Sequence, residues 1–249
     1  MRRLLAALRF LTCAPVPRAW TGGEAALGSS LPAFPVVGLL AGGVLAACTY
    51  GLQRVLPPLP VAALVVAGLV AVSGALHLEG VADTADGFLS ARSRDLALEI
   101  MRDSRAGAMA VIAVVLLIVV KVALVTAVPS AHLWRIVLLT PLAGRSALVV
   151  NMAVLPYARP DGLASVFSAS LEGLARRGLT LAWAVAVFLA SAWLLSGWAG
   201  ITGGVVALLL CLAFAAVCWR RIGGYTGDTL GAACELAELA LVATAAVWA

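Results

Sequence analysis

Residues 107–128 read GAMAVIAVVLLIVVKVALVTAV, and Lys121 is the only charged side chain in this run of 22 residues. About 20 predominantly apolar residues are enough for a helix to cross the hydrocarbon core of a bilayer. The run is therefore predicted to form one membrane-spanning helix. Because Lys121 lies near the predicted outer end of that helix, its long side chain can carry the ammonium to the interface, and we assign it no role in function.

The chain as a whole is similarly apolar. Its mean hydropathy is +1.07 and only 12% of its residues are charged, far fewer than the roughly 25% of a soluble globular domain. We therefore expect an all-α fold, a polytopic membrane helical bundle of about seven transmembrane helices, with residues 1–249 forming a single integral membrane domain. The predicted spans are about 34–53, 59–79, 107–128, 133–155, 179–197, 200–219 and 230–248.

The placement of arginine predicts how this bundle is oriented. Sixteen of the 17 basic residues are Arg, and most precede the first predicted span or lie between spans two and three, between spans four and five, and after span six. These positions share one side of the membrane, which the positive-inside rule assigns to the cytoplasm. The N-terminus is then cytoplasmic, in a multi-pass protein of the cell (inner, or cytoplasmic) membrane. The pI near 9.3 reflects this topology, so no nucleic acid is expected as a partner.

Acidic residues are concentrated in one polar connection, HLEGVADTADGFLSARSRDLALEIMRD at residues 77–103. Six of the twelve acidic residues of the chain lie there. Glu79, Asp83 and Asp86 have i, i+4, i+7 spacing, so on a helix their carboxylates share one face. We expect the second span to continue as a helix through Asp86.

A second helix is expected to begin at Ser93 or Asp95, either of which can cap it, and to run through Asp103 into the third span. The two helices form a predicted cytoplasmic helical hairpin at about residues 79–106. Carboxylates that converge from both helices repel one another unless a cation neutralises them, and Mg²⁺ prefers carboxylate oxygens. The predicted magnesium ligands are Glu79, Asp83, Asp86 and Asp103.

Arginine side chains in the same connection can bind phosphate oxygens through two parallel hydrogen bonds. The predicted phosphate-binding residues here are Arg92, Arg102 and Arg105. Sites of phosphoryl transfer usually combine a metal ion with arginine, because catalysis there depends mainly on positioning the phosphate and neutralising its charge. The alternative is a solvated loop whose acids simply pair with neighbouring arginines.

A second polar element, RRIGGYTGDTLGAACELAELA at residues 220–240, follows the sixth span. Its glycine-rich turn precedes a helix N-terminus, where backbone N–H groups can bind phosphate, and Asp228 can cap that helix. Glu235 and Glu238 continue the acidic face into the bilayer, where a carboxylate is by default functional or paired, and Arg145 is a candidate partner of Glu238. The predicted phosphate- or nucleotide-binding residues are Gly224, Thr226 and Gly227. The candidate supporting residues around the site are His77, Arg145, Glu235 and Glu238.

Four stretches carry a family resemblance: RFLTCAPVP at 9–17, HLEGVADTADGF at 77–88, LEIMRDSRAGAMAV at 98–111 and GGYTGDTLGAACELAEL at 223–239. In this order and spacing they resemble the cobalamin synthase family, the membrane enzymes also called adenosylcobinamide-GDP ribazoletransferases. The resemblance implies a late step of cobalamin biosynthesis with Mg²⁺ as cofactor.

The implied substrates are adenosylcobinamide-GDP and α-ribazole or its 5′-phosphate, which join to give adenosylcobalamin or its 5′-phosphate and displace GMP. Under this interpretation Asp103 is expected to accept the proton of the attacking hydroxyl, with Asp228 as the second catalytic candidate. The lipid bilayer is the other expected partner, and the sequence leaves open whether the protein forms an oligomer.

Two other functions fit parts of the sequence. A CDP-alcohol phosphotransferase of lipid synthesis also uses acids at a membrane face, and Asp83, Asp86 and Gly87 fit its DxxDG motif, but DGFLSAR holds one residue too many. A secondary transporter would use Arg145 and Glu238 as part of an ion or substrate path. Transporters usually place such groups at the midplane between repeated halves, and no repeat is evident here.

Overall fold

The computed structural model describes residues 1–90, 93–159 and 162–248. Within these ranges the secondary structure is helical, apart from one isolated backbone bridge. The helices are α1 (Arg2–Leu11), α2 (Arg18–Thr21), α3 (Gly23–Gly28), α4 (Phe34–Leu52), α5 (Pro58–Ser73), α6 (Leu76–Ser90), α7 (Arg94–Ile100), α8 (Ala108–Ala127), α9 (Ser130–Val154), α10 (Leu174–Ile222) and α11 (Gly227–Val247), with 3-10 segments at Leu31–Ala33 and Leu163–Leu171.

Long apolar helices confirm the predicted all-α membrane bundle. Five are long and apolar enough to cross a bilayer, and α5 with α6 adds a sixth if that bent pair is counted as one broken span. The number seven and the side on which the N-terminus lies stay predictions. The five helices are Leu31–Leu52, Ala108–Ala127, Ser130–Val154, Leu174–Ile222 and Gly227–Val247.

The longest helix, α10, is interrupted at Gly197, whose backbone is not helical (φ 57°, ψ −137°). Beyond the break, Gly200 packs so closely on the Ala192 carbonyl that a side chain would collide with it. The rings of Trp193 and Trp198 also meet at 5.1 Å between centroids. The two halves of α10 therefore fold back on each other as a helical hairpin, and the break falls where the sequence separates the fifth and sixth predicted spans.

The centre of the bundle is α9, which is buried along almost its entire length. Two small residues of α4, Gly38 and Gly42, let the backbones of α4 and α9 approach closely. A Cβ atom on Gly38 would lie 2.7 Å from the Cα atom of Leu142. Small residues four positions apart are the usual means of close helix packing in membranes, where dispersion contacts rather than hydrophobic transfer hold helices together.

The predicted straight continuation of the second span through the acidic motif is wrong. Gly74 and Ala75 have left-handed backbone conformations (φ 61° and 64°), and α6 leaves this turn bent by 90° from α5. A residue with a left-handed backbone conformation cannot continue a right-handed helix, and glycine adopts that conformation without a steric penalty. The acidic motif therefore lies on a separate helix, α6, that runs across the end of the bundle.

The second predicted helix is confirmed at its start and wrong at its end. The Ser93 hydroxyl accepts a hydrogen bond from the Leu96 N–H at 3.3 Å and so caps α7. However, α7 ends at Ile100, and the predicted continuation through Asp103 is replaced by a loop. The Asp103 carboxylate accepts the Arg105 backbone N–H at 3.0 Å, a local bond that competes with helix formation.

Candidate active site

A short backbone bridge brings the loop after α9 to the start of α11. The Tyr225 N–H donates to the Pro156 carbonyl at 2.9 Å, and the Ala158 N–H donates to the Tyr225 carbonyl at 2.8 Å. Gly224, predicted to contact phosphate, instead lies against the Pro156 carbonyl, where a Cβ atom would not fit. The bridge thereby places the residue after Ala158, Arg159, beside the first turn of α11.

Arg159 forms an ion pair with Asp228, with 2.9 Å between Nη2 and Oδ2, and the two side chains are 12% and 21% exposed. The helix cap is Thr226 rather than Asp228. Its hydroxyl accepts the Thr229 N–H at 3.2 Å, while the Thr229 hydroxyl accepts the Thr226 N–H at 2.8 Å. Asp228 is therefore free of the capping role and lies in the first turn, where the helix dipole favours a negative charge.

Two glycines bring α6 against α11. A Cβ atom on Gly80 would lie 2.5 Å from the Asp228 carbonyl oxygen, and one on Gly231 would lie 3.0 Å from the His77 carbonyl oxygen. This close approach puts the acidic face of α6 next to Asp228. The Asp83 carboxylate is then repelled by its acidic neighbours and attracted by the arginine paired with Asp228.

These elements surround a cavity of about 300 Å³ at one end of the bundle. Its polar wall comes from α6, the start of α11 and the loop after α9, and its apolar wall comes from α1, α4, α9 and the second 3-10 segment. The polar wall contains Glu79, Asp83, Arg159, Gly227 and Asp228. The apolar wall includes Phe10, Leu11, Phe34, Leu148, Met152 and Phe167.

The carboxylates in this cavity fit a magnesium ion that is shared with a substrate. Among residues 1–90, 93–159 and 162–248, no three or more His, Cys, Asp or Glu side chains are grouped so that they could hold a metal ion by themselves. Mg²⁺ is usually held by one or two carboxylates together with substrate phosphates and water. Glu79 and Asp83 are one helical turn apart on α6 and line the same cavity. They therefore supply the two carboxylates that such a shared magnesium site needs.

Asp86, a predicted magnesium ligand, is placed elsewhere. Its carboxylate accepts hydrogen bonds from the backbone N–H of Gly107 at 2.6 Å and of Ala110 at 2.9 Å. These are N–H groups at the start of α8, which have no partner inside their own helix. Asp86 is buried and is not among the residues that line the cavity. In this structure it joins α6 to α8.

Asp103, the other predicted ligand and the first candidate for the base, lies in the loop before α8. Its carboxylate pairs with the Arg105 guanidinium at 2.6 Å. Hydrogen bonds from Arg105 lower the pKa of Asp103 to about 2. Both side chains are solvent-exposed, and neither lines the cavity. A carboxylate with so low a pKa is a weak proton acceptor.

The other predicted arginines are divided between a neighbouring groove and the part of the chain that is not described. Arg102 lines a groove of about 330 Å³ together with Arg94, Glu99 and Arg159. Because Arg159 also lines the cavity, it separates the two spaces. Arg92 lies outside the described residues.

Inside the bundle, four ionisable side chains form one buried cluster. Lys121 Nζ lies 2.7 Å from Glu235 Oε2 and 2.6 Å from Glu238 Oε2, and Arg145 Nη1 lies 2.8 Å from Glu238 Oε1. The predicted pairing of Arg145 with Glu238 is confirmed. The predicted extension of Lys121 toward the interface is wrong, because two carboxylates draw its ammonium into the bundle. The cluster ties α8, α9 and α11 together.

His77 lies near the charges of Arg145 and Lys121 in this buried cluster. It lines the cavity and is almost fully buried. Its Nε2 atom has no hydrogen-bond partner among the described residues. Gly227 also lines the cavity, with no neighbouring atom within 4 Å of a Cβ built on it. A ligand can therefore approach the backbone at the start of α11 closely.

Arg159 and Tyr157 are cavity residues that the sequence did not single out. Both follow α9 in a connection whose arginines indicated only topology. The available signal was an arginine placed shortly after the end of a predicted span. No local sequence pattern indicates that this segment forms hydrogen bonds with the backbone of Tyr225. Those hydrogen bonds bring Arg159 to Asp228.

The fold and the cavity together define an all-helical membrane protein with a candidate phosphate-transfer site at one end of its bundle. The family model described as cobalamin-5-phosphate synthase matches residues 3–246. The chain belongs to this family, and it is a transferase of cobalamin synthesis.

Curated relatives agree with this family along nearly the whole chain. An adenosylcobinamide-GDP ribazoletransferase of Acetivibrio thermocellus is 36% identical, over 95% of this chain and 94% of the relative. Proteins of the same name from Geotalea daltonii and Pseudomonas paraeruginosa are 37% and 38% identical, over 98% and 99% of this chain and 96% and 98% of their own. No solved structure matches the chain.

Proposed function

We propose that the protein joins adenosylcobinamide-GDP to α-ribazole, or to α-ribazole 5′-phosphate, and releases GMP. The product is adenosylcobalamin or its 5′-phosphate. The observation that carries this proposal is the Arg159–Asp228 ion pair, which lies in the same cavity as the carboxylates of Glu79 and Asp83. One site thus offers a cation for phosphate and a carboxylate that can accept a proton. We infer the substrates from the relatives, which are named adenosylcobinamide-GDP ribazoletransferases.

The reaction requires one bond to form and one to break at a single phosphorus atom. A ribose hydroxyl oxygen of the ribazole forms a bond to the phosphorus next to cobinamide. The bond from that phosphorus to the oxygen bridging to GMP breaks, and GMP leaves with the electron pair. We assign the hydroxyl proton to Asp228, which lies in the polar wall of the cavity. Arg159 stabilises the negative charge that develops on the phosphate oxygens.

We propose Mg²⁺ as the cofactor, held by Glu79 and Asp83 and by the substrate diphosphate. When bound, the ion would neutralise diphosphate charge and so favour departure of GMP. Gly227 leaves room for a phosphate near the N–H groups at the start of α11. Asp86 supports this site indirectly, because it anchors α8 to α6.

We also propose that the protein lies in the inner membrane with this cavity on the cytoplasmic side. Basic residues concentrate at the cavity end of the bundle, where α1 carries Arg2, Arg3 and Arg9 and the end of α10 carries Arg220 and Arg221. Positively charged ends of membrane helices face the cytoplasm.

The direct test is GMP release by the purified protein in lipid nanodiscs. We expect release from adenosylcobinamide-GDP only when α-ribazole and Mg²⁺ are both present, and none after chelation of the metal. Asp228→Asn should lower kcat by about 100-fold or more, the scale of losing a proton acceptor, with little change in substrate binding. Release of CMP from a CDP-alcohol, without GMP release, would favour the lipid-synthesis alternative and contradict the proposal.

A further inference from the structure

The cavity of the proposed active site has an apolar wall that the phosphate chemistry does not use. Phe10 of α1, Phe34 at the start of α4 and Phe167 of the second 3-10 segment form an aromatic cluster there. Ring centroids are 5.4 Å apart for Phe10–Phe167 and for Phe34–Phe167, and 6.1 Å apart for Phe10–Phe34. These separations lie in the range in which aromatic rings attract one another.

The composition of the two walls indicates the shape of the ligand. Leu148 and Met152 extend the aromatic wall, and neither carries a charge. The polar wall carries Asp83, Arg159 and Asp228. Small-molecule sites combine a mostly apolar and aromatic lining with a few polar groups that fix orientation. This cavity therefore suits a molecule with a flat aromatic part at one end and hydroxyl or phosphate groups at the other.

Size separates the two proposed substrates. The cavity volume of about 300 Å³ lies at the lower end of the roughly 300–1,000 Å³ of small-molecule sites. A nucleoside with a two-ring base is of suitable size. A corrin macrocycle with its amide side chains is much larger and must remain at the mouth of the cavity, with only its diphosphate reaching inside.

We propose, on the basis of the function proposed above, that the aromatic cluster binds the planar base of the nucleoside substrate. Phe10 lines the cavity and is partly exposed, so its ring contacts the base, whereas Phe34 and Phe167 are 0% and 1% exposed and pack against Phe10. With the base against the Phe10 ring, the ribose extends toward Asp228, where its hydroxyl loses a proton. The nucleoside therefore occupies the interior of the cavity, and the corrinoid substrate approaches from its mouth.

The test compares two partly buried phenylalanines. Phe10 lines the cavity, whereas Phe214 lies in α10 and does not line it. In Phe10→Leu we expect the KM for α-ribazole to rise about tenfold, while the KM for adenosylcobinamide-GDP changes less than twofold. Phe214→Leu should change neither value. An unchanged KM for α-ribazole, or an equal rise for both substrates, would overturn the inference.

Phe167→Leu provides a second variant, because the buried Phe167 ring packs against Phe10 at 5.4 Å between centroids and so positions it. Equilibrium dialysis of α-ribazole against the nanodisc-bound protein separates this inference from the proposed function. If the wild-type protein released no GMP, the proposed function would fail. The aromatic site would still be supported by tenfold weaker α-ribazole binding in either variant, and it would be refuted if the wild-type protein bound no α-ribazole.

Discussion

Arg159 Nη2 lies 2.9 Å from Asp228 Oδ2, and this ion pair forms where the loop after α9 meets the first turn of α11. The two side chains are largely shielded from water, so each charge depends on the other for compensation. A phosphate entering the cavity competes with Asp228 for the guanidinium. Binding of the diphosphate would then loosen the pair and leave Asp228 able to take up a proton.

Replacement of Arg159 should slow GMP release. In Arg159→Ala we expect kcat/KM for GMP release to fall by about 100-fold or more, the usual scale of losing a group that stabilises transition-state charge. Arg159→Lys should recover only part of this loss, because lysine lacks the planar pair of donors. Arg220→Ala, which removes an exposed arginine at the end of α10, serves as the control. Activity of Arg159→Ala close to wild type would exclude the role.

Substitution of Asp83 should impair activity, whereas substitution of Asp86 should reduce stability. Asp83→Asn removes a charge that neighbouring carboxylates repel, so we expect the protein to remain at least as stable while GMP release is lost. The measurement pairs an activity assay with thermal unfolding in detergent. A variant that kept both activity and magnesium dependence would show that Asp83 does not hold the ion.

Asp86→Ala should act through stability. It leaves the Gly107 and Ala110 N–H groups at the start of α8 without their charged acceptor. Loss of such a helix-terminal acceptor costs about 1–3 kcal/mol. Denaturant titration should show this loss, and Asp95→Ala, which removes an exposed carboxylate from the first turn of α7, should change stability little. Equal stability of the two variants would contradict the anchoring role.

The buried cluster should show strong coupling between its charges. Lys121→Met leaves Glu235 without its cation inside the bundle, and breaking a buried pair in this way costs about 3–5 kcal/mol. The double variant Lys121→Met, Glu235→Gln removes one charge of each sign and keeps Arg145 paired with Glu238. We expect it to be more stable than the single lysine variant in denaturant titration. If the two losses were simply additive, the charges would not be coupled.

Local sequence patterns predicted the parts of the site that lie on a single element. The helical spacing of Glu79 and Asp83 placed both on one face of α6, and Asp228 was expected at the start of a helix. Ser93 was one of two predicted caps, with Asp95, and such a cap can be predicted because the capping bond is formed within four residues. The membrane bundle followed from hydropathy, since a span must satisfy its backbone hydrogen bonds internally.

Contacts between distant segments were not predictable in the same way. Asp86 has the same helical spacing as its acidic neighbours, yet its carboxylate accepts hydrogen bonds from N–H groups at the start of α8. Thr226 rather than Asp228 caps α11 because Thr229 completes a reciprocal pair of bonds. Arg159 reaches the cavity only through the bridge to Tyr225. Each of these outcomes depends on which of several available partners is nearest in space.

The bend at Gly74 and Ala75 shortens the second predicted span. The 16 residues of α5 rise about 24 Å, less than the roughly 30 Å of bilayer hydrocarbon. A span that is too short is accommodated by a locally thinner bilayer, and we therefore expect α6 and the cavity mouth to lie at the depth of the lipid headgroups. A bulky amphiphilic substrate could then reach the site while resting on the membrane surface. Accordingly, GMP release should slow in vesicles made from longer-chain lipids, and a rate that is independent of chain length would rule out this mismatch.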